Sequence, residues 1–158
     1  MPGHDLLLRP FRLADAAIVA RWLRGPGLGL PPGVAGRKWA DRMLADPRVQ
    51  AWVAVQGEVP VGFARLDVGP DRVAELTLAV AANRRRQGVG TAVLQAVLAA
   101  AAHQKLRRVH AVVDRGNAPA MWFFAENGFE DTAVGAGSAR FVRWLHGRNR
   151  EELVIEVN

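Results

Sequence analysis

The residues best suited to chemistry stand together between positions 73 and 91. An apolar run, VAELTLAV over residues 73–80, holds one acid, Glu75. It leads through Ala81, Ala82 and Asn83 into Arg84, Arg85, Arg86, Gln87, Gly88, Val89, Gly90 and Thr91. The run reads as a strand, and the residues after Gly88 as the opening of a helix. The first amides of a helix lack intrahelical partners, and the helix dipole adds about half a positive charge at that end. Gly88 and Gly90 place no Cβ between backbone and ligand, and the three arginines raise the local potential. Together they predict an anion cradle with a diphosphate as its natural occupant. Without the glycines, the same arginines would read as a solvated basic turn.

Two common phosphate loops do not fit. The Walker A pattern needs Gly, four residues, then Gly-Lys-Ser/Thr, which the chain lacks. The dinucleotide fingerprint needs a third glycine where Val93 stands, inside a run of βαβ units. What remains is Arg85-x-x-Gly88-x-Gly90. Other candidates carry less. Ser138, the only serine, lies in Gly-Ala-Gly-Ser-Ala and not in a nucleophile elbow. His4, His103, His110 and His146 lack metal-ligand spacing, so no metal is expected. His110 reads as a packed or surface histidine on its strand, with the cleft wall as its other reading. Trp22, Trp39, Trp52, Trp122 and Trp144 read mostly as core, and Trp39, next to a Gly/Pro loop, also as a substrate-facing residue.

These residues need elements to hold them. Strands are expected at Leu6 to Arg9, Val49 to Val55, Val59 to Val68, Val73 to Val80, Val109 to Val113, Arg140 to Leu145 and Leu153 to Val157. Helices are expected over Asp15 to Leu23, Lys38 to Leu44, from Val89 through Ala101, and Ala118 to Glu126, the last closed by Asn127-Gly128. Gly25 to Gly36 is too rich in glycine and proline for regular structure and reads as a long loop, with a mobile cleft wall as its functional reading. The order β-α-α-β-β-β-α-β-α-β-β, with a meander of three strands in the middle, predicts an α+β domain with a mixed sheet. One domain over residues 1–158 is expected, without internal repeat.

Composition sets outer limits. Among 158 residues there is no cysteine, which removes disulfides, thiolate catalysis and Cys-ligated zinc. There is no tyrosine either. No stretch approaches the ~20 apolar residues of a membrane helix, the longest being Ala92 to Ala102. The opening MPGHDLLLRP does not read as a secretory signal, so a cytoplasmic protein without membrane partner is expected. Lys and Arg number 21 against 15 Asp and Glu, and this +6 balance favours anionic partners.

Arg85-x-x-Gly88-x-Gly90 resembles the signature Gln/Arg-x-x-Gly-x-Gly/Ala of the GNAT superfamily of acyl-CoA-dependent N-acyltransferases. A second segment, Asn117-Ala-Pro-Ala120 through Phe124 to Gly128-Phe129, resembles the family's Asn, Ala, aromatic, Gly-Phe pattern, and the opening LLLRPFRLADAAIVARWL its first strand and helix. The likeness covers essentially the whole chain in element order. It implies a single-domain fold with a mostly antiparallel sheet of six to seven strands, flanked by about four helices and splayed between the fourth and fifth strands. It implies acetyl-CoA as co-substrate. Leu78, Ala79 and Val80 would bond the pantetheine arm through their backbone. Arg85, Arg86, Gln87, Gly88, Val89, Gly90 and Thr91 would hold the pyrophosphate, and Asn117 and Phe124 would line the cofactor site near the thioester.

The implied reaction is direct attack of a primary amine, of a small molecule or a protein N-terminus, on the acetyl thioester. An alkyl ammonium has a pKa of ~10 and must first lose a proton. Glu75, the only acid in its strand, is the candidate base, on the expectation that burial raises its pKa. Many family members protonate the leaving thiolate with a tyrosine seven residues after the motif asparagine, where this chain has Phe124. Ser138 or a histidine would have to substitute, or the thiolate leaves unaided. A catalytically weak acyl-CoA-binding protein is therefore the alternative. A nucleic-acid-binding module is disfavoured by arginines spread along the chain and the absence of a recognition helix. A homodimer through the last two strands is left open by the family likeness.

Overall fold

Every described strand of the chain joins one sheet. The computed structural model describes residues 5–23, 37–85, 88–132 and 137–145. Its elements are β1 (Leu6–Pro10), a 3-10 turn (Leu13–Asp15), α1 (Ala16–Leu23), α2 (Arg37–Ala45), β2 (Val49–Gln56), β3 (Val59–Val68), β4 (Val73–Val80), α3 (Val89–His103), β5 (Arg108–Asp114), α4 (Ala118–Glu126), β6 (Glu130–Asp131) and β7 (Ser138–Trp144). The strands lie in the order β1-β2-β3-β4-β5-β7-β6. All neighbours are antiparallel except β4 and β5, which run parallel. This agrees with the mixed, mostly antiparallel sheet of six to seven strands and about four helices that the family likeness implies.

One difference stands out. β6 has two residues, too few to leave a period-two pattern, and the sequence reading contains no strand there. The expected strand at Leu153 to Val157 and the Gly25 to Gly36 loop lie outside the described residues, as do His4 and His146.

The two faces of the sheet build separate cores. On one, Val93, Leu94 and Val97 of α3 pack with Leu66 and Val109 of the sheet, all without solvent contact, and α4 adds Phe124. Each such side chain contributes about 1.5–3 kcal/mol. On the other face, α1 and α2 cover Phe11, Trp39 and Phe63, whose ring centroids lie 5.7 to 6.0 Å apart. Trp39 is thus core and Trp22 with it, whereas Trp122 on α4 is exposed, contrary to expectation.

A polar link ties β1 to α1. Both amino groups of Arg9 donate to the Asp15 carboxylate at 2.8 Å, and one of its oxygens also accepts from the Arg12 amide at 2.8 Å. Asp15 is the buried charged residue among those described. Its bond from Arg9, above all, holds its carboxyl below the usual carboxylate range against the opposing effect of burial.

Candidate active site

The geometry that matters begins with a pairing that stops early. β4 pairs with β3 along its full length, from Val68↔Ala74 to Gly62↔Val80. On its other side β4 meets β5 only at Val73↔Arg108, Ala74↔Val109 and Glu75↔His110. Beyond that pair, residues 76–80 of β4 face the gap without a strand partner on that side. β5 continues to Asp114 held by β7 alone. Two strand edges with their amides and carbonyls therefore open into a V, a slot for an extended chain with amide groups of its own.

At the mouth of the V stands α3. Its cap, Gly88, has φ +79°, the left-handed region that a glycine enters without strain. A Cβ there would meet nothing within 4 Å, so the space outside this turn is open. The Gly88 carbonyl accepts from the Ala92 amide at 3.1 Å, and the first-turn amides before it have no intrahelical partner. Val89 is buried and pins the start of the helix onto the core, while Thr91 is half-buried and Arg85 exposed. Arg86 and Gln87, expected in this cradle, lie outside the described residues.

Gly90 has close neighbours that its spacing in the motif does not reveal. A Cβ there would lie 3.3 Å from Cε1 of Phe123 and 3.6 Å from Val80. Its missing side chain lets α3 approach α4 and β4.

Along β4 the side chains alternate. Ala79 is buried against the α1/α2 core, with Leu78 and Val80 half-buried against the α3/α4 core. Glu75 is exposed, opposite Asp67 on β3 and His110 on β5. The burial expected of Glu75 is absent, because it points away from the α3/α4 core that buries its neighbours Ala74 and Leu76. Asp67 is occupied by Arg65, which grips it with two bonds of 2.8 Å.

Across the V, β5 leads into α4 through Asn117. The Asn117 side-chain oxygen accepts from the Ala120 amide at 3.2 Å and caps α4. The cap fixes the start of α4 at the end of β5. Phe124 is buried and sits among the rings of Phe123, Phe129 and Phe141, with centroids 5.1 to 6.1 Å away. It is core, and its ring carries no proton to give.

His110, on β5, faces Glu75 across the last rung. Its Nε2 is buried and has no hydrogen-bond partner. Burial first, then the charges of Arg108 and Arg140, hold the imidazole below its ordinary pKa. The period-two alternation of VHAVVD could place His110 on the face opposite Val109 and Ala111, but not at the last rung of a parallel pair. Among the described residues, no group of three His, Cys, Asp or Glu gathers to hold a metal, and no helix is long and apolar enough to cross a membrane.

A family model described as the Acetyltransferase (GNAT) family matches residues 18–129. No curated protein matches the sequence. Many solved structures share the fold. An acetyltransferase from Thermus thermophilus is 26% identical, with a TM-score of 0.75 over 91% of this chain and 99% of the other. PaiA N-acetyltransferase from Thermoplasma acidophilum, solved in complex with coenzyme A, is 14% identical with a TM-score of 0.75, covering 89% of this chain and 99% of that one. A chimera of spermidine N-acetyltransferase SpeG from Vibrio cholerae and hSSAT is 14% identical with a TM-score of 0.77, over 89% and 96%.

Proposed function

The chain belongs to the acetyltransferase (GNAT) family, and from that premise we propose that it moves an acetyl group from acetyl-CoA to a primary amine of a small molecule or a protein N-terminus. The observation that carries this reading is the V between β4 and β5, with the first turn of α3 at its mouth. The amides of Gly88, Val89 and Gly90, with Thr91, Arg85, Arg86 and Gln87, hold the pyrophosphate. The pantetheine arm lies along the unpaired edge of β4 at Leu78, Ala79 and Val80. From Val80 to Glu75 that edge runs about 17 Å, which brings the thioester to the closed end of the V.

There the amine attacks the thioester carbon, and free amides of the β4 edge steady the developing oxyanion. Glu75, exposed on the face away from α3 and α4, receives the ammonium proton directly or through water and passes it to solvent. The excess of positive charge weighs against polycationic acceptors. A second reading, an acyl-CoA-binding protein without turnover, is favoured by Phe124, whose buried ring occupies the place where many family members have a proton-donating tyrosine.

One experiment separates the two. Thermal unfolding is followed with acetyl-CoA at about 1 mM, the upper end of ordinary KM values. Thiol release is then followed with spermidine, lysine and a peptide with a free amino terminus. A stabilisation of about 2.7 kcal/mol at a hundredfold excess over Kd, with thiol released only when amine is present, is the expected result. Protection without release on any amine selects the second reading, and no protection at all sinks both.

A further inference from the structure

The last rung of the β4–β5 pairing joins Glu75 to His110. Partners in register lie about 4.8 Å apart. On β5, Val109, Ala111 and Val113 turn into the α3/α4 core, so His110 projects from the other face, as Glu75 does. His110 therefore stands at the closed end of the V, where the two unpaired edges converge. Its Nε2 is stripped of water and has no partner. A buried polar atom left in this state is costly, and no described contact offsets it.

Its surroundings are mixed. Glu75 faces it from β4, with Asp67 beyond but taken by Arg65. Arg108 is two residues away on its own strand, and β7 contributes the apolar Val142 in register and Arg140 on the diagonal. The alternatives at this point are poor. Phe124 has no transferable proton. Ser138 pairs with Asp114 at the far end of β5, roughly 13 Å along the strand from the rung.

We propose that His110 carries the proton from the attacking nitrogen to the departing thiolate, an inference that rests on the acetyl-transfer reading above. Attack forms the N–C bond, moves the carbonyl pair onto oxygen and leaves positive charge on nitrogen. The Nε2 lone pair takes the N–H proton. As the carbonyl re-forms, the C–S bond breaks with its electron pair on sulfur, and the imidazolium returns the proton to that sulfur. The enzyme ends as it began, with amide and free thiol as products. Burial, then Arg108 and Arg140, keep the imidazole neutral at neutral pH. They also make its protonated form a stronger acid than a thiol of pKa ~8.5, so the return is downhill.

The test compares wild type with His110→Gln and His110→Ala, using acetyl-CoA and whichever amine of the panel turns over fastest. His110→Gln is expected to lower kcat by about 10²-fold or more while acetyl-CoA still protects it against unfolding to the wild-type extent. Added imidazole is expected to restore part of the His110→Ala rate, which a merely structural histidine would not permit. Wild-type kcat in His110→Gln overturns the proposal, as does a loss of rate that imidazole does not mend. Should neither variant fold, the wild-type kcat against pH decides. An acid limb with its midpoint below the ordinary imidazole value of about 6.5 supports the shuttle, and an acid limb centred above that value overturns it. A wild type that acetylates no amine brings down the acetyl-transfer reading itself, a result distinct from an active enzyme indifferent to position 110.

Discussion

Gly88 and Gly90 stand two residues apart in one motif, yet physics asks for them on different grounds. At Gly88 the reason is conformation: φ +79° with open space beyond. At Gly90 the reason is a neighbour, the Phe123 ring. Gly88→Ala is expected to cost about 1–2 kcal/mol of strain and to shrink the protection given by acetyl-CoA, because the ligand-facing amides turn with it. Gly90→Ala presses on Phe123 and is expected to cost about 1–3 kcal/mol with little change in that protection. Thermal unfolding of both variants with and without acetyl-CoA checks this, and an unchanged ligand effect in Gly88→Ala would remove the turn from the binding site. Much at this scale was legible: residue types and spacing alone pointed to the basic glycine turn. The packing of Gly90 on Phe123, the cap made by Asn117 and the place of His110 at the last rung were not, since each depends on which side chain or strand lies across from it in space.

At the scale of elements, the Arg9–Asp15 pair shows how a strand and a helix are locked at a set angle. Asp15→Asn removes the charge that Arg9 grips and weakens the bond from Arg12. It is expected to cost about 2–3 kcal/mol, less than the 3–5 of a fully enclosed pair because Arg9 keeps some solvent contact. The sign of the pH effect follows from the direction of the shift. The Asp15 carboxyl is held down in the folded state, so its contribution is complete above the unfolded pKa of ~3.9 and is lost as pH falls through the folded value. Urea unfolding of wild type and Asp15→Asn should therefore differ most near neutrality and converge in acid; a gap that persists in acid would mean that the charge is not what matters. The β2–β4 meander and the four helices were legible because each carries its period over eight or more residues. β6 was not, and neither was the end of the β4–β5 pairing, because register between distant strands leaves no local pattern.

On the scale of the whole molecule, the +6 charge bears on how a polyanionic co-substrate arrives. The Debye length falls from about 10 Å at 0.1 M salt to about 3 Å at 1 M. The KM for acetyl-CoA is accordingly expected to rise several-fold across that range while kcat stays nearly level, and a level KM would mean that the arginines lie out of range of the ligand. The V has a further consequence. Two bare strand margins are templates for foreign strands, and natural sheets guard such margins because they seed aggregation. On the proposed function the same margins stay vacant for the pantetheine arm, so the guard cannot be built in. The ligand itself becomes the guard. Unliganded protein held at high concentration should scatter light progressively, and a saturating amount of CoA should keep the solution clear.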